Sequence, residues 1–290
     1  MSGAGVSSGR ELEIESGALT IPIDWHPSTA PRASAIILPA LGTRARSYVA
    51  FAEELARSAF DVVVVEQRGH GRSAVRPSRA VDFGYRELFD DDLPAVVDWL
   101  RRERPHAPVV LCGHSLGGQL AIAALAVRPN LADRLILVAT STPYFRLYPA
   151  PMALQIRLLA SLIPPLTLGL GYFPGGWFGF GRNEARRLMH DWRQIALHNR
   201  LELSGDGGRV ERGLAGLTIP TLSIRFADDR LAPKRAVDSL NAKLPSAALT
   251  PRQLSPEALG TTADHYGWLK SPAAVVGEIR AWLERTNPGA

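Results

Sequence analysis

Cysteine is almost absent from this sequence of 290 residues: Cys112 is the only one, so no internal disulfide can form. Disulfides persist in oxidising compartments and are rare in the cytosol, so we expect a cytoplasmic protein. The first ten residues also lack the basic start and the apolar run of a signal peptide. Residues 1–10, rich in Ser and Gly, are therefore expected to form a disordered tail.

Blocks of like charge are lacking as well. The formal net charge of +5 comes from 33 Lys and Arg against 28 Asp and Glu, and most of the basic residues are scattered arginines. Nucleic-acid-binding proteins cluster basic side chains along the path of the phosphates. We therefore expect no nucleic-acid partner.

Charge is missing altogether from residues 158–181. An uncharged stretch of this length can cross a bilayer as a helix. Pro164, Pro165 and Pro174 interrupt it, and a proline inside a helix removes a backbone hydrogen bond. The stretch therefore predicts a broken lid and no stable membrane span.

Hydrophobic residues make up 46% of the chain, enough for one large core. Short apolar runs alternate with segments that repeat apolar residues every three or four positions, which is typical of a mostly parallel sheet covered by helices. The predicted strands lie at residues 11–15, 19–25, 35–38, 61–65, 109–112, 135–139, 221–226 and 247–253. The predicted helices lie at residues 48–58, 85–103, 117–127, 233–243 and 272–284.

The alternation stops between residues 141 and 217, where the composition shifts toward Leu, Gly, Trp, Phe and Arg. A structureless loop of that length is uncommon inside a compact domain. We therefore predict an α/β fold with a mostly parallel eight-stranded sheet, built by residues 11–140 and 218–290. Residues 141–217 are predicted to form a helical cap, with helices at 152–163 and 183–199.

The strongest chemical signal is the run VVLCGHSLGGQLAIAAL over residues 109–125. An apolar strand leads into Gly-His-Ser-Leu-Gly at residues 113–117 and then into a helical pattern. Such a sharp turn exposes the serine hydroxyl, and glycines on both sides avoid collisions with neighbouring backbone. The pattern predicts a nucleophile elbow with Ser115 as the nucleophile.

A serine hydroxyl needs a general base and an acid that orients the base. Of the seven histidines, His265 alone follows the last predicted strand, as the chain order nucleophile, acid, base requires. The loop after the strand at 221–226 offers two acids, Asp228 and Asp229, and both remain candidates at this point. Asp264, beside the histidine, is expected to cap the last helix or to be exposed.

The oxyanion of an acyl-transfer reaction needs two backbone N–H donors, one just after the nucleophile and one from the loop after an early strand. These positions are Leu116 and Leu41. The cap also holds more apolar side chains than a small exposed insertion should show to water. We expect Trp177, Phe178 and Phe180 to line a pocket for an acyl chain.

Three arginines of the cap, Arg182, Arg186 and Arg187, permit two interpretations. They could meet an anionic head group such as that of an acyl-CoA, or they could form a solvated helix face. Cys112 ends an apolar strand, so we expect it to be a packing residue without a redox role.

Together these motifs resemble the α/β-hydrolase superfamily, in particular the bacterial serine hydrolases that include monoglyceride-lipase-like and serine-aminopeptidase-like members. VVVVEQRGHGRS over residues 62–73 is similar to the family's strand and Arg-Gly-His-Gly-x-Ser loop, and CGHSLGG is similar to its nucleophile elbow. DRLAP over residues 229–233 is similar to the loop that carries the acid, so the resemblance implies Asp229 as the acid. His265, followed by Tyr-Gly-Trp, resembles the histidine segment of predicted bacterial hydrolases.

Three positions depart from the family pattern. Pro39 and Ala40 stand where many members carry His-Gly, so the side chain that often braces this loop is missing. Phe226 replaces a usual glycine three residues before the acid, and Asp264 replaces a glycine before the histidine. These changes concern loop geometry and remove no catalytic group.

The expected activity is hydrolysis of a carboxylic ester or thioester through an acyl-enzyme, on a small-molecule acyl substrate and without a metal or organic cofactor. The alternatives are an aminopeptidase-like amide hydrolase, an acyltransferase or perhydrolase on the same fold, and a protein that only binds. The sequence carries no signal for an oligomeric state.

Overall fold

A computed structural model describes residues 9–286 and shows one eight-stranded sheet. Its strands are β1 (Arg10–Ser16), β2 (Leu19–His26), β3 (Ala33–Leu38), β4 (Phe60–Val65), β5 (Val109–His114), β6 (Arg134–Val138), β7 (Thr221–Phe226) and β8 (Leu249–Leu254). They lie in the order β1-β2-β4-β3-β5-β6-β7-β8. β2 pairs antiparallel with β1 and β4, and all other pairs are parallel. The prediction of a mostly parallel sheet of eight strands is confirmed.

The α-helices of the described chain are α1 (Val49–Arg57), α2 (Leu93–Glu103), α3 (Leu116–Val127), α4 (Ala150–Leu170), α5 (Arg186–His198), α6 (Arg209–Gly213), α7 (Lys234–Asn241), α8 (Pro256–Leu259) and α9 (Ala273–Thr286). A π-helical turn at Glu87–Asp92 precedes α2, so the helix predicted over residues 85–103 is not regular throughout.

Both faces of the central strands are buried. In β4, Val63 and Val65 pack into one core together with residues of α2 and α3, whereas Val62 and Val64 pack into a second core with residues of α1 and α9. Successive side chains of a strand point to opposite faces, so a strand buried on both sides requires an unbroken apolar run. This is why the run of four valines forms an interior strand.

The tail predicted over residues 1–10 lies outside the described residues except for its last two positions. Arg10 begins β1 and pairs with Trp25 of β2. The sheet therefore starts one residue earlier than the sequence predicted.

Between β6 and β7 the chain leaves the sheet and forms the segment predicted as a cap. It contains α4, α5, α6 and several short 3-10 turns. Phe173 and Glu184 form an isolated β-bridge, and this bridge closes a loop of twelve residues between α4 and α5. We refer to residues 173–184 as the cap loop.

Within the uncharged stretch, α4 continues through Pro164 and Pro165 and ends before Pro174. Pro164 cannot donate to the carbonyl of Ala160, and Arg193 of α5 donates to that oxygen instead, at 2.9 Å from Nε. The helix ends at Gly171, which has a φ of 85°. The prediction that Pro164 and Pro165 interrupt the helix was therefore wrong, and at Pro164 a neighbouring helix supplies the missing donor.

Within residues 9–286, α4 is the one helix that is long and apolar enough to cross a membrane, judged by length and composition. Its Ile156, Ala160 and Ile163 are buried inside the protein, whereas Leu154 and Leu158 are exposed. A helix that buries one face against its own domain gives no clear membrane span.

We expect Arg193→Met to lower the free energy of unfolding by about 1–3 kcal/mol, because it leaves the buried Ala160 carbonyl without a partner. Urea denaturation followed by circular dichroism measures the change. Arg200→Met is the matched control, since Arg200 forms its one ion pair within residues 9–286 with Glu202 at the surface, and we expect it to change the free energy by less than about 0.5 kcal/mol. Equal effects of the two substitutions would contradict the role assigned to Arg193.

Candidate active site

The predicted site residues all follow the carboxyl ends of strands. Leu41 lies three residues after β3, Ser115 directly follows β5, Asp229 lies three residues after β7, and His265 follows β8 along the chain. The carboxyl ends of parallel strands meet at one edge of a sheet, and ligand sites of open α/β sheets lie there. The topology therefore brings these distant positions together.

Ser115 has a backbone conformation that L-residues rarely adopt, with φ 53° and ψ −116°. Glycines surround it because side chains would collide there. A Cβ on Gly113 would lie 2.3 Å from the Cα of Gly118, and a Cβ on Gly117 would lie 2.0 Å from the carbonyl oxygen of Leu38. The helix α3 thus starts directly against the end of β3, which is the geometry of a nucleophile elbow.

Asp229 and His265 form a buried hydrogen-bonded pair. Oδ2 of Asp229 lies 2.7 Å from Nδ1 of His265. The other carboxylate oxygen, Oδ1, accepts the backbone N–H groups of Leu231 and Ala232, each at 2.8 Å. Because the carboxylate accepts from Nδ1–H, the lone pair of the imidazole lies on Nε2, where a general base needs it.

The two other acids near the histidine take no part in this pair. Asp228 is exposed, and its side chain makes no hydrogen bond within the described part of the chain. Oδ1 of Asp264 accepts two backbone N–H groups at the start of the 3-10 turn Gly267–Lys270, so it caps this turn and not the last helix. The structure therefore brings Asp229 to His265.

Tyr48 holds the start of the loop after β3. Its hydroxyl accepts the N–H of Ala40 at 2.8 Å and lies 2.7 Å from Nδ1 of His114. Burial raises the pKa of Tyr48 well above its usual value, and burial also lowers the pKa of His114 well below its usual value. The phenol therefore keeps its proton and donates it in a hydrogen bond to the neutral imidazole.

Two further buried side chains hold the same loop. Nε2 of Gln67 donates to the carbonyl of Pro39 at 3.1 Å, and Oε1 of Glu66 accepts the N–H of Ala45 at 3.0 Å. The loop that lacks the family's His-Gly pair is thus anchored by other groups. Sequence reasoning missed these contacts, because a side chain that bonds to backbone leaves no motif of its own.

Leu41 and Leu116 both line the cavity that contains Ser115. Neither backbone N–H is engaged by an acceptor among the described residues. Leu116 is the first residue of α3, and the first N–H groups of a helix have no partner within it. Neither N–H is therefore taken up by an acceptor in the described part of the protein.

The cavity has a volume of about 710 Å³ and is mostly apolar. Ser115 and His265 line it together. The segment between β6 and β7 contributes several side chains, among them three leucines of α4 and two aromatic residues of the cap loop: Leu158, Leu159, Leu162, Phe178 and Phe180. A site of this size and character suits a small organic ligand with an apolar part.

Two of the three aromatic residues predicted to line a pocket do so in the structure, and the third does not. Phe178 and Phe180 line the cavity, whereas Trp177 is 74% exposed and lies outside the lining. Phe173, at the base of the cap loop, is fully buried and stacks on Phe178 with ring centroids 5.0 Å apart. The sequence could not separate Trp177 from its neighbours, because successive side chains of a 3-10 turn point in different directions.

Among the described residues that line the cavity, none is Asp, Glu, Lys or Arg. Arg186 pairs with Asp82 at 3.0 Å, and Arg187 pairs with Glu87 at 2.9 Å. Arg182 is exposed. Two of the three arginines considered for an anionic head group are therefore engaged by the core.

The aromatic residue at 226 supports the histidine loop. Phe226 is buried and stacks on Trp268 with ring centroids 5.9 Å apart. Nε1 of Trp268 donates to the carbonyl oxygen of His265 at 3.1 Å. The residue that replaces the family's glycine thus packs on the group that holds the loop.

Cys112 is a buried packing residue in the core between the sheet and α1. Burial raises the pKa of its thiol to about 12, so it stays protonated near neutral pH.

Known proteins resemble this chain in sequence and in fold. A family profile described as serine aminopeptidase, S33, matches residues 29–254. The monoglyceride lipase of Rattus norvegicus is 27% identical over 236 residues, which cover 77% of this chain and 73% of that protein. The monoacylglycerol lipase of Mycolicibacterium smegmatis is 27% identical over 221 residues, which cover 75% of this chain and 78% of that protein.

Among solved structures, a soluble variant of the monoglyceride lipase from Saccharomyces cerevisiae superposes with a TM-score of 0.72 at 14% identity, over 96% of this chain and 95% of that chain. Est1E from Butyrivibrio proteoclasticus superposes with a TM-score of 0.65 at 17% identity, over 93% of this chain and 98% of that chain. These likenesses show the fold. With the profile matching most of its length, the chain belongs to the serine aminopeptidase S33 family and is an enzyme of the α/β-hydrolase superfamily.

Proposed function

We propose that the protein is a serine hydrolase that cleaves a carboxylic ester or thioester through an acyl-enzyme. The observation that carries the proposal is the buried pair of Asp229 and His265, which reaches the same cavity as the elbow at Ser115. A nucleophile, a base and an acid that fixes the tautomer of the base are the groups that acyl transfer needs.

In the first step, Oγ of Ser115 attacks the carbonyl carbon of the ester while Nε2 of His265 takes the hydroxyl proton. Asp229 stabilises the imidazolium that forms. The N–H groups of Leu41 and Leu116 donate to the developing oxyanion. His265 then gives its proton to the leaving alcohol or thiol, which departs from the acyl-serine.

In the second step, His265 takes a proton from water, and the resulting hydroxide attacks the acyl-serine. The second tetrahedral intermediate uses the same two N–H donors. Collapse releases the carboxylic acid, and His265 returns the proton to Ser115. These steps balance without a metal or an organic cofactor.

The proposed substrate is a small neutral ester with one acyl chain. The apolar lining suits the acyl chain of the substrate. The uncharged polar side chains of Ser141 and Gln155 suit a leaving group with hydroxyls, such as glycerol. Leu154 and Leu168 of α4, outside the cavity lining, are exposed apolar side chains. Relatives named monoglyceride lipase and monoacylglycerol lipase support the same class of substrate.

An aminopeptidase-like activity is less well supported. Such an enzyme needs a carboxylate to hold the ammonium group of its substrate, and no acidic side chain lines the described cavity. An acyl-CoA is disfavoured because its phosphates would need cationic side chains. Arg186 and Arg187 are engaged by acids of the core. A protein that only binds would have no use for the Asp229 pair.

The compartment that we propose is the cytoplasm. The single thiol, Cys112, is buried and has no second cysteine to pair with. A chain without disulfides suits a reducing compartment.

We expect Ser115→Ala to keep the fold and to reduce turnover of p-nitrophenyl butyrate about a thousandfold or more, because no other group can form the acyl-enzyme. Ser141→Ala, which removes another hydroxyl from the same cavity, is the matched control and should lower kcat by less than about tenfold. Labelling with a fluorophosphonate, read by intact-protein mass, should be lost only in Ser115→Ala. Full activity of this variant would refute the nucleophile assignment.

We expect Asp229→Asn to lower kcat about 10⁴-fold, because an asparagine favours the wrong tautomer of the imidazole. Asp228→Asn is the control one residue away and should change kcat less than about twofold, because its side chain is exposed. Both variants are compared with the parent at the same pH. The reverse order of damage would transfer the role of the acid to Asp228.

We expect Leu159→Trp to shift the preference of the enzyme toward short acyl chains, because the larger side chain fills part of the cavity. The value of kcat/KM for C12 to C16 esters should fall about tenfold relative to that for C4, consistent with the usual cost of overpacking. Trp177→Ala, outside the lining, should leave the chain-length profile unchanged. An unchanged profile in Leu159→Trp would show that the acyl chain binds elsewhere.

A further inference from the structure

The loop after β3 is anchored by the core on both sides of Leu41 but not at Leu41 itself. Before it, Gln67 and Tyr48 hold the backbone of residues 39–40. After it, Glu66 holds the N–H of residue 45. Between these anchors the loop is held by its own turn, in which Thr43 donates its N–H to the carbonyl of Ala40 at 3.1 Å and its hydroxyl to the carbonyl of Leu41 at 3.4 Å, and by one contact from another direction.

The cap loop supplies that contact through two glycines. A Cβ on Gly42 would lie 2.5 Å from the nitrogen and 2.7 Å from the Cα of Gly181. Both residues have positive φ, 72° for Gly42 and 55° for Gly181. The two backbones touch without side chains between them, one residue away from Leu41.

Glu184 contacts Gly181 next to Gly42, because a Cβ on Gly181 would also lie 3.1 Å from the Cα of Gly42. A Cβ on Gly181 would lie 1.9 Å from Oε1 of Glu184. The bridge at the base of the cap loop fixes the backbone of Glu184, which donates to the carbonyl of Phe173 at 2.8 Å and accepts from its N–H at 2.9 Å. Glu184 is only 1% exposed, so its carboxyl group needs a partner.

His70 is that partner, and it belongs to the core. Nε2 of His70 lies 3.3 Å from Oε1 of Glu184, and Nδ1 lies 3.1 Å from the carbonyl oxygen of Arg68. A carbonyl only accepts, so Nδ1 carries a proton, and Nε2 donates to the carboxylate of Glu184 when His70 is protonated. His70 also donates its backbone N–H to Gln67, the residue that anchors the loop after β3.

We propose that His70 and Glu184 are positioning residues of the oxyanion hole: their contact seats Gly181 of the cap loop against Gly42 and thereby fixes the N–H of Leu41. The cap would then contribute to the chemical step as well as to the choice of substrate. This inference rests on the proposed ester hydrolysis, in which Leu41 is an oxyanion donor.

A cap that only encloses the substrate would behave differently. Loosening such a cap would raise KM and change the chain-length preference, because substrate contacts would be lost. A displaced oxyanion donor instead lowers kcat by the same factor for short and long acyl chains, because every ester forms the same tetrahedral oxygen. The two roles are therefore separable by steady-state kinetics.

We expect Glu184→Ala to lower kcat for p-nitrophenyl butyrate and p-nitrophenyl laurate equally, by about 10-fold to 100-fold, with KM changed less than about threefold. The magnitude follows from the cost of misplacing one catalytic donor. Glu184→Gln should recover most of kcat, because its amide can donate to Nε2 of a neutral His70. Arg186→Gln breaks a different contact between cap and core, the ion pair with Asp82, and should leave kcat within about twofold.

The pH profile gives a second readout, which does not depend on whether Glu184→Ala folds. Burial alone would lower the pKa of His70, but the hydrogen bond and charge of Glu184, the charge of Glu66 at the end of β4 and the Arg68 carbonyl outweigh it, so the pKa lies above the usual 6.5. The protonated pair is thus complete below pH 6.5 and weakens as the pH rises through the raised pKa. The kcat of the parent should fall as the pH rises through the raised pKa of His70. The kcat of Glu184→Gln should not fall over the same pH range.

Three outcomes would overturn the inference. They are a kcat of Glu184→Ala equal to that of the parent, a rise in KM without a fall in kcat, and an identical alkaline limb in the parent and Glu184→Gln. Failure of the proposed function looks different, because the parent itself would then neither turn over the esters nor react with a fluorophosphonate. In that case no oxyanion is formed, and the positioning role would fall with it.

Discussion

The backbone of Ser115 is the constraint around which the site is built. A residue in such a sparsely populated conformation costs on the order of 1–3 kcal/mol and persists only where its surroundings leave no alternative. Here the N–H of Ser115 donates to the carbonyl of Val138 at 3.0 Å, and glycines allow α3 to touch the end of β3. The strained turn holds the hydroxyl at the sheet edge where the loops of the acid, the base and the oxyanion donor also arrive.

His114 connects the loop after β3 with the histidine loop. Through Tyr48 its ring is tied to Ala40, and the ring centroid lies 4.8 Å from that of His265. If His114 were charged, the imidazolium formed on His265 during the reaction would meet a like charge at this distance. Burial lowers the pKa of His114 and keeps it neutral, so the two loops share a neighbour that does not oppose the charge.

The sheet and the positions of Ser115 and His265 could be predicted because they depend on local pattern and chain order. The choice between Asp228 and Asp229 could not be made from residue type, because it depends on which carboxylate the following backbone N–H groups hold. The position of Trp177 outside the cavity likewise depends on the course of one short turn. Tyr48 is a still harder case, since its role rests on hydrogen bonds across 66 residues of sequence.

The prolines of α4 were misjudged for a related reason. Proline's effect on a helix is a local property, but the compensation for it came from another helix, which a sequence pattern does not show. The replacement of His-Gly at the loop after β3 was similar, because the sequence showed only that one brace was missing. The braces present are Glu66 and Gln67, directly after β4, and Tyr48, directly before α1, and they could be found only in three dimensions.

The bond from Arg193 to Ala160 has a mechanical consequence. It ties the middle of α4 to α5 at the point where a helix with two prolines would otherwise bend most easily, so the two helices should move together as one rigid body. Any widening of the cavity entrance would then arise in the segments after β6 and before β7, where the cap joins the sheet. Such a motion would tilt α4 and α5 together over Ser115.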